Sequence, residues 1–127
     1  MHGKRVLIVD DDPDQLQLLK LLLDLQGAQV YLATNAKDAL CQFDAQRPDL
    51  LLLDIMLPET DGWQICREIR RQSDVPIIML SGISRPRDEE RALDYGIQHY
   101  MTKPFRIDAL LDRVRDVLIP ANACVRG

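Results

Sequence analysis

Five times in succession a short apolar run gives way to a longer stretch with helical spacing, and this alternation most restricts how the chain can fold. Val6-Leu7-Ile8-Val9 is a continuous apolar run ending at Asp10, the pattern of a central strand covered on both faces. Pro13 opens a helix, its missing N–H harmless in the first turn, and that helix runs to about Gln26 with Gly27 as its stop. Ala28 to Ala33 reads as a second strand, and Asn35 caps a helix in which Ala36, Ala39, Leu40 and Phe43 recur. Arg47-Pro48-Asp49 breaks the chain before Leu50-Leu51-Leu52-Leu53, a third buried strand ending at Asp54. Trp63, Ile65, Cys66 and Ile69 mark a third helix, which ends before Asp74. Val75 to Leu80 is a fourth strand, with Pro76 tolerated near its beginning. Arg85 to Tyr95 is a weakly amphipathic helix stopped by Gly96, and Gln98 to Thr102 is a short fifth strand bounded by Pro104. Ile107, Leu110, Leu111, Val114, Val117 and Leu118 form the cleanest helical stripe of all.

Five such units in a row imply a parallel sheet with right-handed crossovers and helices on both faces, an α/β doubly wound three-layer sandwich. The 127 residues suit one domain, expected over 1–119, with 120–127 as a tail or linker stub after the helix-ending Pro120. A formal charge of −4 argues against a broad basic face for nucleic acid or an anionic membrane. Gln17, Lys20 and Asp24 interrupt the leucines between Leu16 and Leu25, so that stretch is no membrane span, and the first residues do not resemble a signal peptide. Cys41, Cys66 and Cys124 are odd in number, lack metal-like spacing and fit a reducing, cytoplasmic setting, with Cys41 and Cys66 expected in the core.

A doubly wound sheet gathers its ligand site at the carboxyl ends of its strands. The residues there are Asp10, Asp11 and Asp12 after the first strand, Asp54 after the third, Ser81 after the fourth and Lys103 after the fifth. Carboxylates sharing a pocket repel one another unless a cation intervenes, and hard oxygen ligands with open positions suit Mg2+, with Mn2+ as its substitute. Lys103 and Ser81 can hold the oxygens of a phosphoryl group, and a carboxylate so placed can itself be the nucleophile.

Val9-Asp10-Asp11-Asp12-Pro13, Leu53-Asp54-Ile55-Met56-Leu57-Pro58 with Asp61-Gly62, Met79-Leu80-Ser81-Gly82 and Tyr100-Met101-Thr102-Lys103-Pro104-Phe105 together resemble the receiver domain of two-component response regulators, over residues 4 to about 119. The resemblance implies a flavodoxin-like sheet in the order 2-1-3-4-5 and a phosphorylation switch. It implies that Asp54 takes a phosphoryl group from a sensor histidine kinase or phosphotransfer protein. Asp11 would bind the metal directly, Asp10 largely through water, and Asp54 and the backbone carbonyl of Met56 would be further ligands. Ser81 would bond the phosphoryl group, Lys103 would pair with it ahead of a cis bond to Pro104, and Tyr100 would turn inward when Ser81 moves.

Three features depart from or extend that pattern. Gly82 stands where alanine is common, which frees the loop after Ser81. Gln98 and His99 replace an acidic pair used in the dimers of many DNA-binding regulators. Met56 and Ile83 occupy positions that tune phosphoryl lifetime in the family. The helix from Arg85 carries seven charges by Asp94 with Ala92 and Leu93 as anchors, which reads either as a loosely held switch or as an ordinary surface helix. On the first helix Leu16, Leu19 and Leu23 make one stripe, while Leu18, Leu21, Leu22 and Leu25 make a second, either packed on the last helix or presented to a partner or a second copy of the chain. Trp63 reads as packing. The alternative function is a haloacid-dehalogenase-like hydrolase with Asp10 as nucleophile and Asp12 as acid/base, although Asp14 replaces its expected Thr or Val and no room remains for a cap. No turnover of an external substrate is expected of a receiver.

Overall fold

The computed structural model describes residues 2–57, 62–82, 88–97 and 99–119. Its elements run β1 (Arg5–Val9), α1 (Pro13–Leu25), β2 (Gln29–Ala33), α2 (Ala36–Gln46), β3 (Leu50–Asp54), α3 (Gly62–Arg70), β4 (Ile77–Ser81), α4 (Asp88–Asp94), β5 (His99–Thr102) and α5 (Ile107–Leu118). All neighbouring strands pair in parallel in the order β2-β1-β3-β4-β5, as the resemblance implies. The leucine run Leu50–Leu53 is fully buried because its strand is central and covered on both faces.

Alternation along the strands divides the core into two layers. Val6, Ile8, Leu50, Leu52, Ile78 and Leu80 face Leu16, Leu19 and Leu23 of α1 and Leu110, Val114 and Leu118 of α5. Leu7, Val9, Leu51, Leu53, Ile77 and Met79 face α2, α3 and α4. The chain therefore winds outward from β1 in both directions, with α1 and α5 on one face and α2, α3 and α4 on the other, and the reversal falls between β1 and β3, where a crevice opens. Local signals set the helix ends. Asp12 caps α1 by accepting from the N–H groups of Asp14 (3.0 Å) and Gln15 (3.4 Å), and Asn35 caps α2 through the Asp38 N–H at 2.8 Å. Gly27 and Gly96 stop α1 and α4 at φ of 90° and 70°, where a Cβ would be strained.

Several expectations need correction. Cys41 is exposed, because the inward face of α2 is formed by Ala39 and Phe43; Cys66 is buried as expected, and burial pushes its thiol up to about 11. Of the second leucine stripe, Leu18, Leu21 and Leu25 are exposed and not packed on α5, while Leu22 is half-buried. Leu93 is also exposed and does not anchor α4. β4 starts two residues later than read, at Ile77. The start of the fourth helix at Arg85, together with Pro58, Asp61, Ile83, Gln98 and the segment 120–127, lies outside the described residues. No helix among the described residues is long and apolar enough to cross a membrane.

Candidate functional site

Because β1 and β3 are adjacent and in register through Val9 and Leu53, the residues that end them, Asp10 and Asp54, emerge side by side at the crevice. Both are nearly inaccessible, at 1% and 4% relative exposure. Each is fixed by a backbone N–H two residues on: Asp12 donates to Asp10 Oδ1 and Met56 to Asp54 Oδ1, both at 3.0 Å. The remaining oxygens meet one ammonium. Lys103 Nζ donates to Asp10 Oδ2 at 2.9 Å and to Asp54 Oδ2 at 3.1 Å. Asp11 adds an exposed carboxylate, and ligand oxygens of Asp10, Asp11 and Asp54 lie within 4.8 Å of one another.

Three carboxylates against one ammonium leave a surplus of negative charge in a partly dry rim. Burial pushes the Asp54 carboxyl above its ordinary value; the Met56 and Lys103 hydrogen bonds pull the other way, and the Asp10 charge adds to the rise. Burial works against the Lys103 ammonium, but its bonds to Asp10 and Asp54 outweigh that and hold it above the usual lysine value. An all-oxygen donor set with an exposed member is the chemistry a hard divalent cation takes, and such a cation would favour the ionised form of Asp54.

Ser81 ends β4 at 1% exposure, one position past the residue opposite Asp54, and its carbonyl accepts the Lys103 N–H. This ties the end of β5 to the rim. Lys103-Pro104 is cis, as the resemblance implies. Tyr100 pairs in register with Met79, is half-buried and packs in the core layer that carries α4. A Cβ at Gly82 would meet nothing within 4 Å, so space does not demand glycine there. Met56 is exposed. A cleft of about 420 Å³ opens beside Lys103, lined also by Gln15, Gly82, Pro104, Phe105 and Ile107. Gln15 was missed in the sequence because one polar residue on a helix carries no signal of its own.

The family described as response regulator receiver domain matches residues 6–115. The chain belongs to that family. Among curated proteins it is 40% identical over 119 residues to a probable transcriptional regulator ycf27 of Guillardia theta, covering 94% of this chain and 47% of that protein. The namesake of Pyropia yezoensis is 38% identical, with 94% and 49% covered. The chain thus spans about half the length of the curated relatives it matches. Among solved structures, a two-component response regulator from Clostridium difficile superposes with a TM-score of 0.89 at 32% identity, covering 94% of this chain and 99% of that one. The BeF3-activated N-terminal receiver domain of Klebsiella pneumoniae RstA gives 0.83 at 31% identity, with 91% and 98% covered.

The hydrolase alternative is not favoured. In this receiver Asp12, which would have to serve as acid/base, is exposed and spends its carboxylate capping α1.

Proposed function

We propose that Asp54 of this receiver is the phosphoacceptor and that the domain, residues 1–119, switches a protein-binding face when Asp54 is phosphorylated. The observation that carries the reading is the Lys103 ammonium bridging Asp10 and Asp54 at the end of the two central strands. In the transfer, an Asp54 oxygen forms a bond to phosphorus as the bond from phosphorus to the donor imidazole nitrogen breaks, and the electron pair leaves with the imidazole. Asp11 would hold Mg2+ (or Mn2+) directly and Asp10 through water, with Asp54 and the Met56 carbonyl as further ligands; the cation would supply charge neutralisation for the phosphoryl oxygens. Lys103 exchanges its bond to Asp54 for one to a phosphoryl oxygen, and Ser81 donates its hydroxyl to another. Tyr100 follows Ser81 inward. Pro104 and Gly82 shape the loops on either side. The work is positioning and charge compensation, with no external substrate turned over.

The donor is a sensor histidine kinase or phosphotransfer protein in the cytoplasm. Leu18, Leu21 and Leu25, spaced i, i+3, i+7 along α1, begin in the second turn of that helix and supply an apolar track on which a donor helix can dock. A homodimer through the same track is the competing use; single-helix tracks fall short of the roughly 800 Å² per partner of a stable dimer. The output is a protein target or a fused effector, which the length of the relatives named as regulators supports. The negative charge gives the receiver itself no nucleic-acid face. Incubation with radiolabelled acetyl phosphate tests the reading. Label should require Mg2+ and vanish in Asp54→Asn; label surviving that change refutes it.

A further inference from the structure

Two contacts outside the acidic rim connect the acceptor to α4 by a path the reading above does not use. The first is at the start of α3. A Cβ on Gly62 would lie 2.6 Å from the Asp54 carbonyl oxygen and 2.8 Å from Ile55 Cα, and the Gly62 N–H donates to the Ile55 carbonyl at 2.7 Å. The helix is therefore seated on the backbone of the acceptor with no space between them. The second begins one residue on. Trp63, 3% exposed, stacks on Tyr95 with ring centroids 6.0 Å apart and planes at 27°, and the Arg91 guanidinium carbon lies 5.0 Å over the indole. Seven residues along the same face of α3, Arg70 Nε donates to the Tyr95 carbonyl at 2.6 Å, while its Nη1 donates to the carbonyls of Val75 and Ser73 at 2.7 and 3.2 Å.

Among the described residues, helix α4 has little else to hold it. It is seven residues long, and beneath it Ala92 and Ile97 are the buried apolar side chains it and its exit supply. Trp63, Tyr95, Ala92 and Ile97 share one core layer with Tyr100. We propose that Trp63 is the latch of α4: α3, rigidly seated on Asp54, holds α4 through the Trp63–Tyr95–Arg91 stack, so a change at Asp54 reaches α4 through α3. The proposal rests on Asp54 being the acceptor for its signal, but not for the latch itself. Trp63 and Arg91 are positioning residues, acting on α4 and not on the phosphoryl group.

Trp63 is the sole tryptophan, so its emission reports on the stack directly. Amide hydrogen exchange without any phosphoryl donor tests the latch. Arg91→Ala, an exposed change, should speed exchange of residues 88–94 about two- to fivefold, the equilibrium shift carried by one exposed cation–π contact. Trp63→Leu should speed it further, Trp63→Phe should restore part of the protection, and β1 and β3 should stay unchanged. With Mg2+ and acetyl phosphate, wild type and Arg91→Ala should take up label alike, while the accompanying change in Trp63 emission is at least halved in Arg91→Ala. Wild-type exchange across 88–94 in both Arg91→Ala and Trp63→Leu overturns the latch, as does an undiminished emission change in labelled Arg91→Ala. If wild type takes no label, the acceptor reading falls, and the donor-free exchange still decides the latch.

Discussion

The centre of the sheet and its β5 edge are built to different depths. β3 and β4 are buried at every residue and β1 at all but the first, whereas β5 is half-buried and ends on an exposed Thr102. The helices follow suit. α1 sinks Leu16, Leu19 and Leu23 into the core over thirteen residues, while α4 spans seven and buries Ala92 among its described side chains. Asp10 and Asp54 hang from the deep centre; Lys103 and Tyr100 arrive from the shallow edge. On the proposed function, the groups that would stay in register with a metal and an incoming phosphorus are placed on strands that cost much to move, and the groups that would respond are placed where opening costs little.

The contrast can be broken from the deep side first. Gly62→Val forces a branched side chain onto the Asp54 backbone and should cost about 3 kcal/mol in urea unfolding; a loss under about 0.5 kcal/mol would mean that α3 is not seated as described. Lys103→Met removes the ammonium that links the β5 edge to the centre and neutralises two buried carboxylates, and should cost about 2–3 kcal/mol, with Mg2+ restoring part of the loss. Unchanged stability in that variant would show that the carboxylates do not depend on the shallow edge.

Acidity sharpens the same comparison with a smaller effect. Asp54 is raised in the fold by burial, so without a divalent cation the folded state retains a proton that the unfolded chain has released. Stability should therefore fall as pH climbs from the ordinary carboxylate value through the raised one, and Asp54→Asn should flatten that slope. Lys103 is also raised, so its contribution is complete below the ordinary lysine value and is lost as pH rises through its higher folded value. The smallest effects belong to exposed leucines. Leu21→Gln on α1 and Leu93→Ala on α4 should each change stability by no more than about 0.5 kcal/mol. Leu21→Gln should nevertheless slow transfer from a phosphorylated kinase while leaving labelling by acetyl phosphate unchanged; equal slowing of both would remove the docking role from α1.

All ten elements were legible in the sequence, because apolar runs closed by Asp10, Asp54 and Ser81 cannot be mistaken for helical stripes. A parallel sheet alone brings Asp10, Asp54 and Lys103 to one rim, and the strand order implied by the resemblance makes them neighbours. Other points depended on tertiary packing. The acidic run Asp10-Asp11-Asp12 looks uniform, yet one member is buried, one is open to solvent and one is bound to the helix it precedes. Leu93 reads as an anchor by composition, but α4 is secured by Tyr95 and Ile97 just beyond its end, where helical periodicity no longer applies. Cys41 lies two positions from Ala39 and Phe43, which turns it away from the sheet. The Arg70 bonds to three carbonyls had no sequence signal, since an arginine near a helix end is ordinarily solvated.

The most direct test of the account is to find which carboxylate carries the phosphoryl group. Labelled protein is reduced with borohydride, which converts an aspartyl phosphate to homoserine, and its peptides are sequenced by mass spectrometry. Homoserine at position 54, dependent on Mg2+, is the predicted result. Homoserine at position 10 instead, or at neither position in protein shown to be labelled, would contradict it.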